Sequence, residues 1–135
     1  MSSGFLLDTC VLIDLEKVDL GIYADRAGAV SAVTLGELAF GMDVGEDEQR
    51  AGRRQLFQQV LDDYEILPYD VDEAKLYGVM ATLVRAVGRN PRTRRLDLQI
   101  AATAAAAHLP LLTCNPKDFL GVERLVKVVP LIRVG

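Results

Sequence analysis

Four acidic side chains, Asp8, Glu37, Asp97 and Asp118, stand where short apolar runs give way to helical patterns. Asp8 directly follows Phe5-Leu6-Leu7, and Glu37 closes Thr34-Leu35-Gly36-Glu37. Asp97 opens an alanine-rich stretch, and Asp118 ends Asn115-Pro116-Lys117-Asp118. Carboxylate oxygens are the hard ligands that Mg2+ or Mn2+ prefers, and such ions keep waters and complete their shell from a phosphate. Four like charges on one spot raise one another's pKa and destabilise the fold unless a cation binds them. Such a cluster suits metal-assisted hydrolysis of a phosphodiester, the ion lowering the pKa of a water and clamping the leaving oxygen.

Helix capping explains each acid taken singly. Thr34 to Glu37 reads as a capping box, Asn115 to Asp118 as a helix start with Pro at its first turn. Asp97 suits a helix N-terminus, and Asp8 is a plain N-cap candidate. Asp70-Val71-Asp72-Glu73 carries the same pattern after an apolar run, so spacing alone does not separate it from the other four. Position is the stronger hint. Asp8 ends what must be a central strand, where an isolated charge is costly.

The elements that must position these acids follow from periodicity. Strands are expected at Phe5–Leu7, Ala29–Val33, Glu65–Leu67, Leu111–Thr113 and Lys127–Val129. Helices are expected at Thr9–Glu16, Thr34–Gly41, Glu46–Asp63, Asp72–Val87 and Asp97–His108, with a helical turn at Pro116–Leu120. Leu56, Phe57, Val60 and Leu61 should face inward from the third helix, and Leu76, Val79, Met80, Leu83 and Val84 from the fourth. Apolar runs alternating with helices predict an α/β fold: a short parallel sheet of about five strands, helices on both faces. Ligands in such sheets bind beyond the carboxyl ends of the strands, where chain order reverses. All four acids fall there.

Bulk properties narrow the class. At 135 residues, half of them hydrophobic and a quarter charged, residues 1–135 are expected to form one soluble domain. A net charge of -4 argues against nucleic-acid binding by bulk positive charge, so any such contact needs local basic clusters or bound cations. Two cysteines, Cys10 and Cys114, form no zinc pattern, and a cytoplasmic location is expected. The N-terminus lacks the basic region of a signal peptide. Leu98 to Pro116 has no Lys, Arg, Asp or Glu, yet its Gln99, His108, Pro110 and Pro116 favour a helix, turn and strand over a membrane span.

Arg85, Arg89, Arg92, Arg94 and Arg95 cluster in or beside a basic loop before Asp97, and either draw RNA phosphates toward the acids or simply keep a loop soluble. His108 would lie about 16 Å along the helix from Asp97, too far to act there. With no second imidazole, acid–base work falls to metal-bound water. Asp14, about 600° of helical turn from Asp8, belongs on another face. Cys10 and Cys114 are expected to be packing neighbours.

Four segments together resemble the PIN domains. Leu6-Leu7-Asp8-Thr9-Cys10-Val11-Leu12-Ile13-Asp14 resembles the opening motif, and Ser31 to Leu38, followed by Gly41, the second. Asp97-Leu98-Gln99-Ile100-Ala101-Ala102-Thr103-Ala104 resembles the third, and Leu112-Thr113-Cys114-Asn115-Pro116-Lys117-Asp118-Phe119 the fourth. Each motif is weak alone and strong in series. The chain is most similar to the VapC-type toxins of VapBC toxin–antitoxin systems. The resemblance implies an endoribonuclease whose acidic quartet is Asp8, Glu37, Asp97 and Asp118. Asp8 and Asp97 would be the direct Mg2+ ligands, and Thr9 and Asn115 supporting polar groups. It also implies a homodimer and a VapB-type antitoxin that covers the acids. Cys10 stands where Ser or Asn is common.

Two other readings stay open. A haloacid-dehalogenase-type phosphatase also places an Asp after its first strand, but needs a second acid where Cys10 stands. A non-catalytic PIN module would bind RNA or protein without cleavage, although all four acids are present. A DNA flap nuclease lacks its strand-threading insertions here.

Overall fold

A computed structural model describes residues 4–134. Its sheet has five parallel strands: β1 (Phe5–Leu7), β2 (Gly28–Ser31), β3 (Glu65–Leu67), β4 (Leu111–Thr113) and β5 (Val128–Pro130). Their order is β3-β2-β1-β4-β5, so the chain's direction of travel reverses between β1 and β4. Parallel neighbours need crossovers, and helices provide most of them. These are α1 (Thr9–Ile13), α2 (Ala32–Gly41), α3 (Asp47–Asp63), α4 (Val71–Ala86) and α5 (Arg95–Ala106).

The side-chain period of two splits the core between the faces of the sheet. Leu6, Ala29 and Leu111 share register and pack against Met80 and Val84 of α4 and the alanines of α5. Leu7, Val30 and Leu112 point the other way, to Val11 and Leu12 of α1, Leu38 of α2 and Val60 of α3. With both faces covered, β1 and β4 are buried throughout. No helix among the described residues is long and apolar enough to cross a membrane.

Several boundaries differ from the sequence reading. β2 stops at Ser31, whose hydroxyl accepts from the Val33 amide at 3.1 Å and caps α2. The expected capping box at Thr34–Glu37 therefore does not form, because both residues already lie inside the helix. α1 ends at Ile13, and Leu15–Lys17 tightens into a 3-10 turn. Leu61 and Val79, expected in the core, are 40% and 49% exposed. They lie one residue beyond Val60 and one before Met80, at the edge of stripes that are narrower than expected.

α5 ends two residues before His108. His108 has a φ of 55°, its amide donates to the Ala105 carbonyl, and the Leu109 amide donates to Ala104. That is a Schellman closure, with histidine in the left-handed position glycine usually takes. His108 is an exposed cap at the helix end opposite Asp97.

Candidate active site

Connecting helices run antiparallel to their strands, so helix N-termini and strand C-termini collect at one edge of the sheet. Asp8 lies there, only 4% exposed. Its amide continues the ladder to the Leu112 carbonyl at 3.0 Å, which holds the residue rigidly between β1 and β4. Its Oδ1 accepts from the Thr9 amide at 2.9 Å, capping α1. Its Oδ2 accepts from the Thr113 hydroxyl at 2.8 Å and from the Cys10 thiol at 3.4 Å. Burial nevertheless pushes the Asp8 carboxyl up, against these three donors, and the Asp118 charge adds to the rise.

Glu37 comes from α2, half-buried. Thr9 Oγ1 donates to Glu37 Oε1 at 2.9 Å and lies 3.0 Å from the buried Thr34 hydroxyl. Burial raises the Glu37 pKa, and the Asp8 charge raises it further. Asp97 lies in the first turn of α5. Its carboxyl is pushed from 3.8 to about 7 by burial first, then by the charges of Asp8, Asp118 and Glu37, with Arg94 opposing. That single side chain feels all three other acids. The four expected residues meet at one edge of the sheet.

Asp118 sits in the 3-10 turn Pro116–Phe119 and accepts from Arg94 Nη1 at 3.0 Å. Arg94 belongs to another 3-10 turn, Pro91–Arg94, where the sequence predicts a polar, basic loop. Of the basic cluster, Arg94 thus turns toward the acids, Arg89 donates to the Lys117 carbonyl, and Arg92 and Arg95 are exposed. Asn115 is exposed and makes no side-chain cap; its amide donates to Thr113 Oγ1 at 2.9 Å.

The donor set is oxygen-rich and hard, with His108 at the far end of α5 and the Cys10 thiol turned to Asp8. Buried acids that raise one another's pKa are what a divalent cation relieves, so the residues fit Mg2+ or Mn2+. Among the described residues, no three acid, histidine or cysteine groups form a ready-made coordination cage. Glu37 and Asp118 are held by Thr9 and Arg94 instead.

A family model for the PIN domain matches residues 5–125. The chain is 33% identical over 135 residues to ribonuclease VapC of Rickettsia bellii (strain RML369-C), covering 95% of this chain and 98% of that protein. It belongs to the VapC ribonucleases of the PIN-domain family. Ribonuclease VapC5 of Mycobacterium tuberculosis is likewise 33% identical, over 96% of this chain and 94% of its own. The crystal structure of VapBC-5 from Mycobacterium tuberculosis, a member of the VapBC family of toxin–antitoxin systems, superposes with a TM-score of 0.80. It is 34% identical, over 98% of this chain and 99% of that one.

Two features of this PIN domain escaped the sequence reading. Thr113 is a strand and motif residue given no role by the sequence, yet its hydroxyl is a principal partner of Asp8. The register of Leu7 with Leu112 predicts that neighbourhood once β1 and β4 are known to pair. Thr34 resembled a cap and is a buried link beside Thr9. Asp14 pairs with Arg133 at 2.7 Å, away from the acids, and the Cys114 amide donates to Cys10 Sγ at 3.4 Å.

Proposed function

We propose that this chain, acting as a single PIN domain, is the toxin of a type II toxin–antitoxin pair. It is a Mg2+-dependent endoribonuclease, with Mn2+ able to substitute, and a VapB-type antitoxin neutralises it. The observation that carries this reading is the gathering of Asp8, Glu37, Asp97 and Asp118 at one edge of the sheet in a chain 33% identical to a VapC ribonuclease. A buried acid cluster of this kind is a liability unless a divalent cation and an anionic substrate complete it.

Asp8 and Asp97 would hold the ion directly, and Glu37 and Asp118 through water. The bound ion would lower the pKa of water and offset charge on the scissile phosphate. The protein's own groups provide the rigidity. Thr113, Cys10 and the Thr9 amide fix both oxygens of Asp8, and the Thr9 hydroxyl fixes Glu37. Arg94 keeps Asp118 in place. Arg89, Arg92 and Arg95 supply a basic rim for phosphates in a chain of net charge -4. In-line hydrolysis would leave a 5′-phosphate and a 3′-hydroxyl. A homodimer that works in the cytoplasm completes the proposal, the antitoxin covering the acids.

The test is cleavage of RNA by purified protein, with product 5′ ends mapped by sequencing. Cleavage that EDTA abolishes and Mg2+ restores is the expected result. Full activity in EDTA would sink the mechanism. A non-catalytic PIN module is the other reading. RNA binding without metal-dependent cleavage would select that reading.

A further inference from the structure

Beside the turn that carries Asp118 lies a pocket of about 550 Å³. It is lined by Leu83 of α4 and Val87 just beyond its end, by Leu120, and by three charged residues, Arg89, Glu123 and Arg124. We propose that this pocket receives one unstacked base of the substrate RNA, next to the scissile phosphate. The inference rests on the ribonuclease reading above and names where that enzyme's sequence preference would arise.

The pocket is built by specific closures. α4 ends in a Schellman motif, with the Gly88 amide donating to Arg85 and the Arg89 amide to Val84. This delivers Arg89 across the gap, where its guanidinium donates to the Lys117 carbonyl. The opposite wall is pinned by Gly121, whose amide donates to Glu123 Oε1 at 2.6 Å. Gly121 has a φ of 104°, and a Cβ there would lie 3.3 Å from Val87 Cγ2 and 3.5 Å from Val84 Cα. Glycine adopts this left-handed conformation without strain, which lets the loop turn against the end of α4.

Charge and chemistry select the occupant. A planar base needs apolar contact on its faces and tolerates a guanidinium stacked on it. Leu83, Val87 and Leu120 supply the former, and Arg89 and Arg124 supply guanidinium groups and charge for the flanking phosphates. The nearby acids are already engaged: Glu123 with Gly121 and Asp118 with Arg94. Lys117, bonded to Arg89, directly precedes Asp118. A strand whose scissile phosphate lies over the four acids therefore brings a neighbouring nucleotide to this pocket.

The test is binding of a short fluorescein-labelled single-stranded RNA of mixed sequence to the Asp97→Asn protein, read by anisotropy. Leu120 and Val87 are 45% and 57% exposed, so Leu120→Glu and Val87→Glu leave the core intact, and Arg124→Gln is a milder surface variant. Each of the two glutamate variants should weaken binding about tenfold, and Arg124→Gln about threefold. Unchanged affinity in all three overturns the proposal. So does a variant that turns a dimer into a monomer with RNA affinity intact, since the pocket then belongs to a second copy. In protein retaining Asp97, mapped 5′ ends should show a base preference at one fixed position beside the cut. Leu120→Glu should flatten it, and an unchanged pattern overturns the proposal. Leu120-dependent RNA binding without any metal-dependent cleavage would instead overturn the ribonuclease reading and support the subsite.

Discussion

Asp70–Glu73 and Thr34–Glu37 look alike in the sequence, and the fold uses them in opposite ways. At Asp70, Oδ1 accepts from the Val71 amide at 2.9 Å and Glu73 Oε1 accepts from the Asp70 amide at 2.7 Å. Both carboxylates are consumed by their own helix, at an exposed end of α4. At Thr34 the helix has already begun, capped by Ser31, so Glu37 lies a turn and a half into α2 and closes no capping box. Glu37 turns to Thr9 and toward Asp8 instead. An acid that meets only its own helix is structural; one also driven against other acids, as Asp8 is while it caps α1, is available for chemistry.

The sharpest way to break that comparison is to remove one acid of each kind. Asp97→Asn should lower RNA cleavage by more than about a thousandfold, while Asp70→Ala should leave turnover within about twofold of wild type. Comparable losses in the two variants would erase the distinction. Chelation comes next in size: EDTA should stop cleavage by wild-type and Asp70→Ala protein alike, with Mg2+ restoring both.

Stability should separate the pair with opposite signs. The folded-state pKa of Asp97 is raised from 3.8 to about 7, so the folded protein holds a proton that the unfolded chain has released. Metal-free stability therefore falls as pH rises from about 4 to about 7 and stays low above that. Asp8 and Glu37 are shifted in the same direction and deepen the fall. Asp97→Asn should raise the Tm of metal-free protein at pH 8, with no gain below pH 4. Asp70→Ala removes a cap and should instead destabilise by about 1 kcal/mol. Thermal melts across pH in EDTA check both, and a lower Tm for Asp97→Asn at pH 8 would refute the electrostatic account.

The smallest expected effect concerns Thr9. Thr9→Val removes the hydroxyl that holds Glu37 and should reduce cleavage about tenfold with the fold retained. Thr82→Val, whose hydroxyl bonds only the Gly78 carbonyl of its own helix among the described contacts, serves as the control. Equal rates for the two would remove Thr9 from the site.

Most of the architecture was legible because β1 is an uninterrupted apolar run, β4 opens on two leucines and α5 is rich in alanine. The period of each segment and the direction of parallel crossovers follow from local geometry. Ser31 was read as a strand residue because its capping bond depends on where β2 releases the chain, which pairing with β3 decides. Leu61 and Val79 misled because periodicity cannot measure how wide a buried stripe is.

The four acids show where that boundary falls. Their types were set by the sequence alone, as were the hard-cation chemistry and the family resemblance, while Glu37 proved to lie inside α2 rather than at its start. Which of five similar acidic helix starts would converge was decided by the tertiary structure. The order β3-β2-β1-β4-β5 puts Asp8 beside Thr113, brings Glu37 under Thr9, and sets Asp118 against Arg94. Those contacts span 24 to 105 residues of chain. Desolvation and repulsion, the forces that raise Asp97, arise only across such distances and cannot be read from neighbours in sequence.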